Sequence, residues 1–153
     1  MNNVNVCLSL CSAVMRGDLQ TVKYIVTKER WDINRIVYPA HQLTALAIAA
    51  KFGHYNIAEF LLDHGADVNA HRDNDGNTPL QLACICGRFD VARLLLEKGA
   101  DVTNRNDDGY TPLTWAIESS SPDPVREEII DLFREFHPDL VMEQFCTTTP
   151  AGR

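Results

Sequence analysis

The stretch that decides the fold begins Thr78-Pro79-Leu80-Gln81-Leu82-Ala83-Cys84-Ile85-Cys86-Gly87-Arg88. It continues through Val91-Ala92-Arg93-Leu94-Leu95-Leu96 and closes on Gly99-Ala100-Asp101-Val102-Thr103. Thr-Pro marks a helix start, because proline's fixed φ and missing N–H suit the first helical position. Gly87 separates that helix from a second apolar one, and Gly99 ends the second where a left-handed conformation is cheap only for glycine. The stretch therefore predicts two short helices, neither able to bury its apolar face alone.

Working outward, the same pattern recurs. Thr44-Ala45-Leu46-Ala47-Ile48-Ala49-Ala50 stands 34 residues before Thr78, and Thr111-Pro112-Leu113-Thr114-Trp115-Ala116-Ile117 stands 33 after it. Gly53-His54 matches Gly87-Arg88, Ile57-Ala58-Glu59-Phe60-Leu61-Leu62 matches Val91 to Leu96, and Gly65-Ala66-Asp67-Val68-Asn69 matches Gly99 to Thr103. Weaker copies flank these. Leu10, Ala13, Gly17-Asp18, Val22 and Asp32-Ile33-Asn34 fall at repeat positions upstream, with Val22, Ile25 and Val26 as a helix-period stripe. Downstream, Ile129, Leu132, Phe133 and Phe136 form another, after a loop expanded around Ser119 to Pro124 in which Asp123 reads as an N-cap.

These strings resemble the ankyrin repeat, in its length and in the Thr, Leu and Ala positions of its T-P-L-H-x-A core. The resemblance covers roughly residues 5 to 140. It implies an all-α solenoid of stacked helix-turn-helix units with β-turn fingers, in which neighbours bury a continuous core. The units run approximately 4–34, 35–69, 70–103 and 104–140 within one domain, residues 1–146. A cap helix is expected over 139–145, with Leu140, Val141 and Phe145 covering the last unit, and a disordered tail over 147–153. There are departures from the pattern. Ala47, Gln81 and Thr114 stand where the family has histidine, and Ala45 stands for the proline. Asp75-Gly76 and Asp108-Gly109 supply fingertip turns, whereas the finger between Asn34 and Thr44 is longer and has no Asp-Gly.

Composition limits the function. The 153 residues are 45% hydrophobic and 23% charged, with a net charge of −7, which argues against nucleic acid and anionic membranes. No apolar run is long enough to span a bilayer, and Met1 to Asn5 does not read as a signal peptide. A cytoplasmic or nuclear, monomeric protein is expected, with reduced thiols, because five cysteines show no framework spacing. Cys84 and Cys86 form a C-x-C, but Cys84 occupies the position of Ala50 and reads as core. Cys7 and Cys11, one helical turn apart, read as packing. No metal, cofactor or catalytic constellation is expected: phosphate-cradling glycine loops, G-x-S-x-G and H-E-x-x-H are all missing.

The resemblance places partner binding on a concave face lined by the first helices and the fingers. On the helices this implies Met15, Arg16, Lys51, Phe52, Ile85 and Cys86. On the first finger it implies Tyr38, His41 and Leu43. The next two fingers add Asn74, Asp75 and Asn77, then Asp107, Asp108 and Tyr110. Trp115 is added with the reservation that its equivalents Ile48 and Leu82 pack between repeats. Phe52, Ile85, Tyr110, Leu43 and Tyr38 stand out, because large apolar groups at solvated positions read as binding anchors. Residues 1–60 carry net +2 and residues 104–153 net −6, a gradient able to orient a partner. The function implied is a scaffold, adaptor or inhibitor that binds another protein. In length and unit number the chain is similar to the cyclin-dependent kinase inhibitors built of four such repeats. A regulatory subunit of a larger complex and a bacterial or viral effector docking on a host protein are the alternatives, with an enzyme weakest. Asn69 follows Asp-Val and has Leu61 eight residues before it, which resembles the sites an asparaginyl hydroxylase modifies in such repeats. Asn34 and Thr103 lack the full match.

Overall fold

A computed structural model describes residues 3–29, 31–70, 73–118 and 124–146, of which Asn3, Val125, Phe145 and Cys146 are described by backbone alone. The expected N-cap at Asp123, the expanded loop over 119–123, the side chain of Phe145 and the tail 147–153 lie outside the described residues.

The chain forms helix pairs: α1 (Asn3–Arg16) with α2 (Leu19–Lys28), α3 (Ala45–Phe52) with α4 (Tyr55–Asp63), α5 (Pro79–Ile85) with α6 (Phe89–Glu97), and α7 (Pro112–Glu118) with α8 (Pro124–Phe136). The first helices α1, α3, α5 and α7 pack successively in one layer, and α2, α4, α6 and α8 pack successively in a second. This is an all-α ankyrin-type solenoid. A further helix, α9 (Pro138–Cys146), packs on α8.

Local chemistry sets each helix start. The Thr44 hydroxyl accepts from Ala47 N–H at 3.2 Å, and the Thr111 hydroxyl from Thr114 N–H at 3.1 Å. Thr78 goes further, forming a capping box in which Gln81 returns a bond to the Thr78 N–H at 2.9 Å. Asp18 caps α2 by accepting from Thr21 N–H.

The core runs unbroken through the stack. Leu10, Leu46, Ile48, Ile57, Leu61, Leu80, Leu95, Leu113, Ile129 and Phe133 are all fully buried, each worth about 1.5–3 kcal/mol relative to exposure. Every residue from Ala45 to Ala50 is buried, because α3 is covered by α1 on one side, α5 on the other and α4 behind. Ser12, at the position of Ile48, is exposed, so the end unit presents a polar group where inner units present aliphatic ones.

Candidate protein-binding face

The fingers are tied to one another. The longer first finger is a small antiparallel hairpin, β1 (Ile36–Tyr38) with β2 (Leu43–Thr44), closed by a 3-10 turn over Pro39–His41 and by Gln42 at φ 55°. In the second and third fingers two backbone bonds do the closing: Asp73 N–H to Asn77 O at 3.1 Å with Gly76 N–H to Asp73 O at 3.0 Å, and Asn106 N–H to Tyr110 O at 3.0 Å with Gly109 N–H to Asn106 O at 2.9 Å. Asn74 Nδ2 donates to Ala40 O of the first finger at 2.8 Å, and Asp107 N–H donates to Asp75 O at 2.9 Å. Gly76, at φ +77°, allows this approach: a Cβ there would stand 2.5 Å from Asp107 Oδ1 and 3.0 Å from its backbone nitrogen.

Gln81 joins a helix to the next finger. It is 2% exposed, and its amide donates to Asn104 O at 3.2 Å and to Tyr110 O at 2.8 Å. At the opposite edge His54 and Arg88 are equivalent. His54 Nε2 lies 3.1 Å from the Met15 carbonyl, and Arg88 Nε donates to the Lys51 carbonyl at 3.2 Å.

Against this frame the expected binding residues separate into groups. Phe52 and Ile85 are exposed, at 42% and 36%; the Phe52 ring stacks on His54 with centroids 6.2 Å apart. His41, Asn74, Asp75, Asp107 and Asp108 are exposed, and Lys51, Tyr38, Tyr110 and Trp115 are half-buried. The Tyr38 ring leans on His41, centroids 4.9 Å apart. Trp115 packs partly on the core, as its equivalents Ile48 and Leu82 do fully.

Two of the expected positions are corrected. Leu43 is 3% exposed and belongs to the core, and Asn77 is 6% exposed. Asn77 is held by Asp73, which accepts from its backbone N–H at 2.7 Å, and by Asn106 Nδ2, which donates to Asn77 Oδ1 at 3.1 Å. Both residues immediately precede a capping threonine, and at that position the chain turns under the finger. Tyr110, which precedes Thr111, is half-buried for the same reason. Asn74 remains exposed, but its amide is committed to holding two fingers together.

Cys84 is buried, and burial pushes its thiol up to about 12. The Cys7 thiol donates to the Val37 carbonyl at 3.5 Å. No group of metal-ligating side chains converges among the described residues, and no helix among them is long and apolar enough to cross a membrane.

The pattern described as ankyrin repeats (3 copies) matches residues 10–106 and 70–132. The chain belongs to the ankyrin-repeat family, whose repeats are in general protein–protein interaction modules and typically non-catalytic. It is 36% identical over 108 residues to an ankyrin repeat protein of Fowlpox virus, FPV031, across 71% of this chain and 31% of that one. It is 44% identical over 62 residues to the palmitoyltransferase akr1 of Schizosaccharomyces pombe, across 40% of this chain and 9% of that one. A BTB/POZ domain-containing protein of the same yeast is 35% identical over 66 residues, across 43% of this chain and 12% of that one. The chain thus spans less than a third of the length of the relatives it matches.

Proposed function

We propose that this chain is a non-catalytic scaffold, adaptor or inhibitor that holds a partner protein on the concave face lined by α1, α3, α5, α7 and the fingers. The observation that carries the reading is the exposure of Phe52 and Ile85 near the ends of successive first helices. Neither belongs to the buried core, and the few large anchors that dominate a binding interface each cost it about 2 kcal/mol or more when truncated. The rigid, finger-to-finger hydrogen bonding supports it, since a pre-ordered surface loses less entropy on binding. The exposed His41, Asp75, Asp107 and Asp108 and the half-buried Lys51, Tyr38, Tyr110 and Trp115 complete the proposed face. The partner is a protein, and the chain is a monomer working in the cytoplasm or nucleus.

A photo-crosslinking amino acid placed at Phe52 or Ile85 should capture a discrete partner, while one placed at Tyr24 on α2 should not. Equal capture from Tyr24 would place binding elsewhere.

The similarity to a poxvirus protein favours a second reading, in which the module docks on a host protein. Capture of a host protein from infected cells, and of nothing virus-encoded, would support that version. Asn69 is the residue proposed for hydroxylation, in either reading.

A further inference from the structure

The tips of the second and third fingers carry Asp75, Asp107 and Asp108, all exposed. They stand together because Asp107 N–H bonds to Asp75 O and the Asp107 carboxylate lies against Gly76. No described residue donates a hydrogen bond to any of these three carboxylates or forms an ion pair with one. By contrast, the Asp73 carboxylate is filled by Asn77 and Asp75 N–H, and Asp101 by Thr103. Arg105, in the same finger, donates to its own Gly109 carbonyl at 2.7 Å. On the helix side Phe52 and Ile85 are exposed, with the exposed Arg16 and the half-buried Lys51 at equivalent positions of neighbouring units.

From this pairing of uncompensated acids and apolar anchors we infer that the partner segment held on the proposed face is basic. Its aliphatic or aromatic side chain seats on Phe52 and Ile85, and its Lys or Arg side chains meet Asp75, Asp107 and Asp108. The inference rests on the reading of Phe52 and Ile85 as partner contacts, and adds the charge of what they bind. Opposite charge at the rim speeds encounter and excludes acidic competitors more than it deepens affinity. It is also screened by salt, because these groups face solvent.

The test is selection of a random phage-displayed peptide library on the whole chain. The enriched peptides are expected to carry an excess of Lys and Arg beside at least one large apolar residue. Their affinity should fall about tenfold at low salt for the Asp75→Asn, Asp107→Asn, Asp108→Asn triple variant, and the difference should shrink as salt is raised. Matched melting curves keep the comparison to binding alone. Neutral or acidic enriched sequences, equal binding to the triple variant, or a library that yields no binder would each overturn the inference. Neutral peptides that lose binding to Phe52→Ala, Ile85→Ala would leave the face standing and remove only its charge preference. Basic peptides that bind this double variant undiminished would instead remove Phe52 and Ile85 from the site.

Discussion

The Asn69 Oδ1 atom accepts a hydrogen bond from the Asp101 backbone N–H at 2.7 Å, one repeat further on. Asn34 does the same for Asp67 at 2.8 Å, and its amide also donates to Gly65 O at 3.4 Å. The side chain at this position therefore bridges neighbouring units rather than closing its own turn. Its own backbone N–H is held by the aspartate two residues earlier, Asp67 for Asn69 and Asp32 for Asn34.

Replacing either asparagine by alanine should thus weaken the coupling between two units. Asn69→Ala and Asn34→Ala are each expected to cost about 1 kcal/mol in thermal or urea unfolding. Full wild-type stability in both would show the bridges to be without energetic weight. Oxygen addition at Asn69 needs the bridge to open locally, which the unit's missing Thr-Pro and Asp-Gly favour. Peptide mass spectrometry of protein from hydroxylase-containing cells is expected to show one added oxygen at Asn69 and none at Asn34. Addition at neither site, or equally at both, rejects the assignment.

Gly53 ends α3 at φ +79°, and a Cβ there would stand 2.7 Å from Arg88 Cδ. Gly53→Ala is expected to cost roughly 1–2 kcal/mol for the left-handed backbone, plus whatever it costs to displace Arg88 from the Lys51 carbonyl. In an Arg88→Ala background only the backbone part should remain. A double-mutant cycle measures the difference, and strict additivity would show that Arg88 moves aside freely.

The repeat positions that sequence made legible are those where a residue type answers to its own backbone. Thr78 and Pro79 start a helix, and Gly53 and Gly87 end one, whatever lies nearby. Burial at the finger base was less legible. Leu43, Asn77 and Tyr110 share one repeat position, immediately before the capping threonine, but their side chains are aliphatic, amide and aromatic. No common pattern announces that this position turns inward, and only aligning the three against the threonine shows it. Arg88 aligns with His54 in sequence, but its bond to Lys51 O does not follow from that alignment, because histidine and arginine share little beyond a donor nitrogen. The ties of Asn74 to Ala40 and Gln81 to Tyr110 join residues about one repeat apart in sequence, a spacing that composition alone does not reveal.

Two aspartates are expected to make stability depend on acid. Asp18 is held below the usual carboxylate range first by the Thr21 hydroxyl and then by its N–H, and Asp101 in the same way by Thr103. A carboxylate lowered on folding contributes stability at and above its ordinary value and loses it as pH falls through the lowered folded value. Unfolding followed against pH should show this loss at the acid end. Thr21→Val and Thr103→Val remove the donating hydroxyls and are expected to reduce it. An acid limb unchanged in both variants would contradict the assignment.

Helix α9 lies against α8 with Val141 buried and Leu140 half-buried. End units of a stack contribute through a single interface, so removal of residues 138–153 is expected to lower the melting temperature by several degrees without abolishing folding. A truncated chain as stable as the full one would show that α9 adds nothing to the last unit.

The most direct test of the account is titration of the isolated partner against Phe52→Ala, Ile85→Ala, with melting curves matched to the wild-type chain. The double variant is expected to keep its fold and lose at least ~2 kcal/mol of binding free energy, roughly thirtyfold in Kd. Unchanged affinity in a variant that melts like the parent would contradict it.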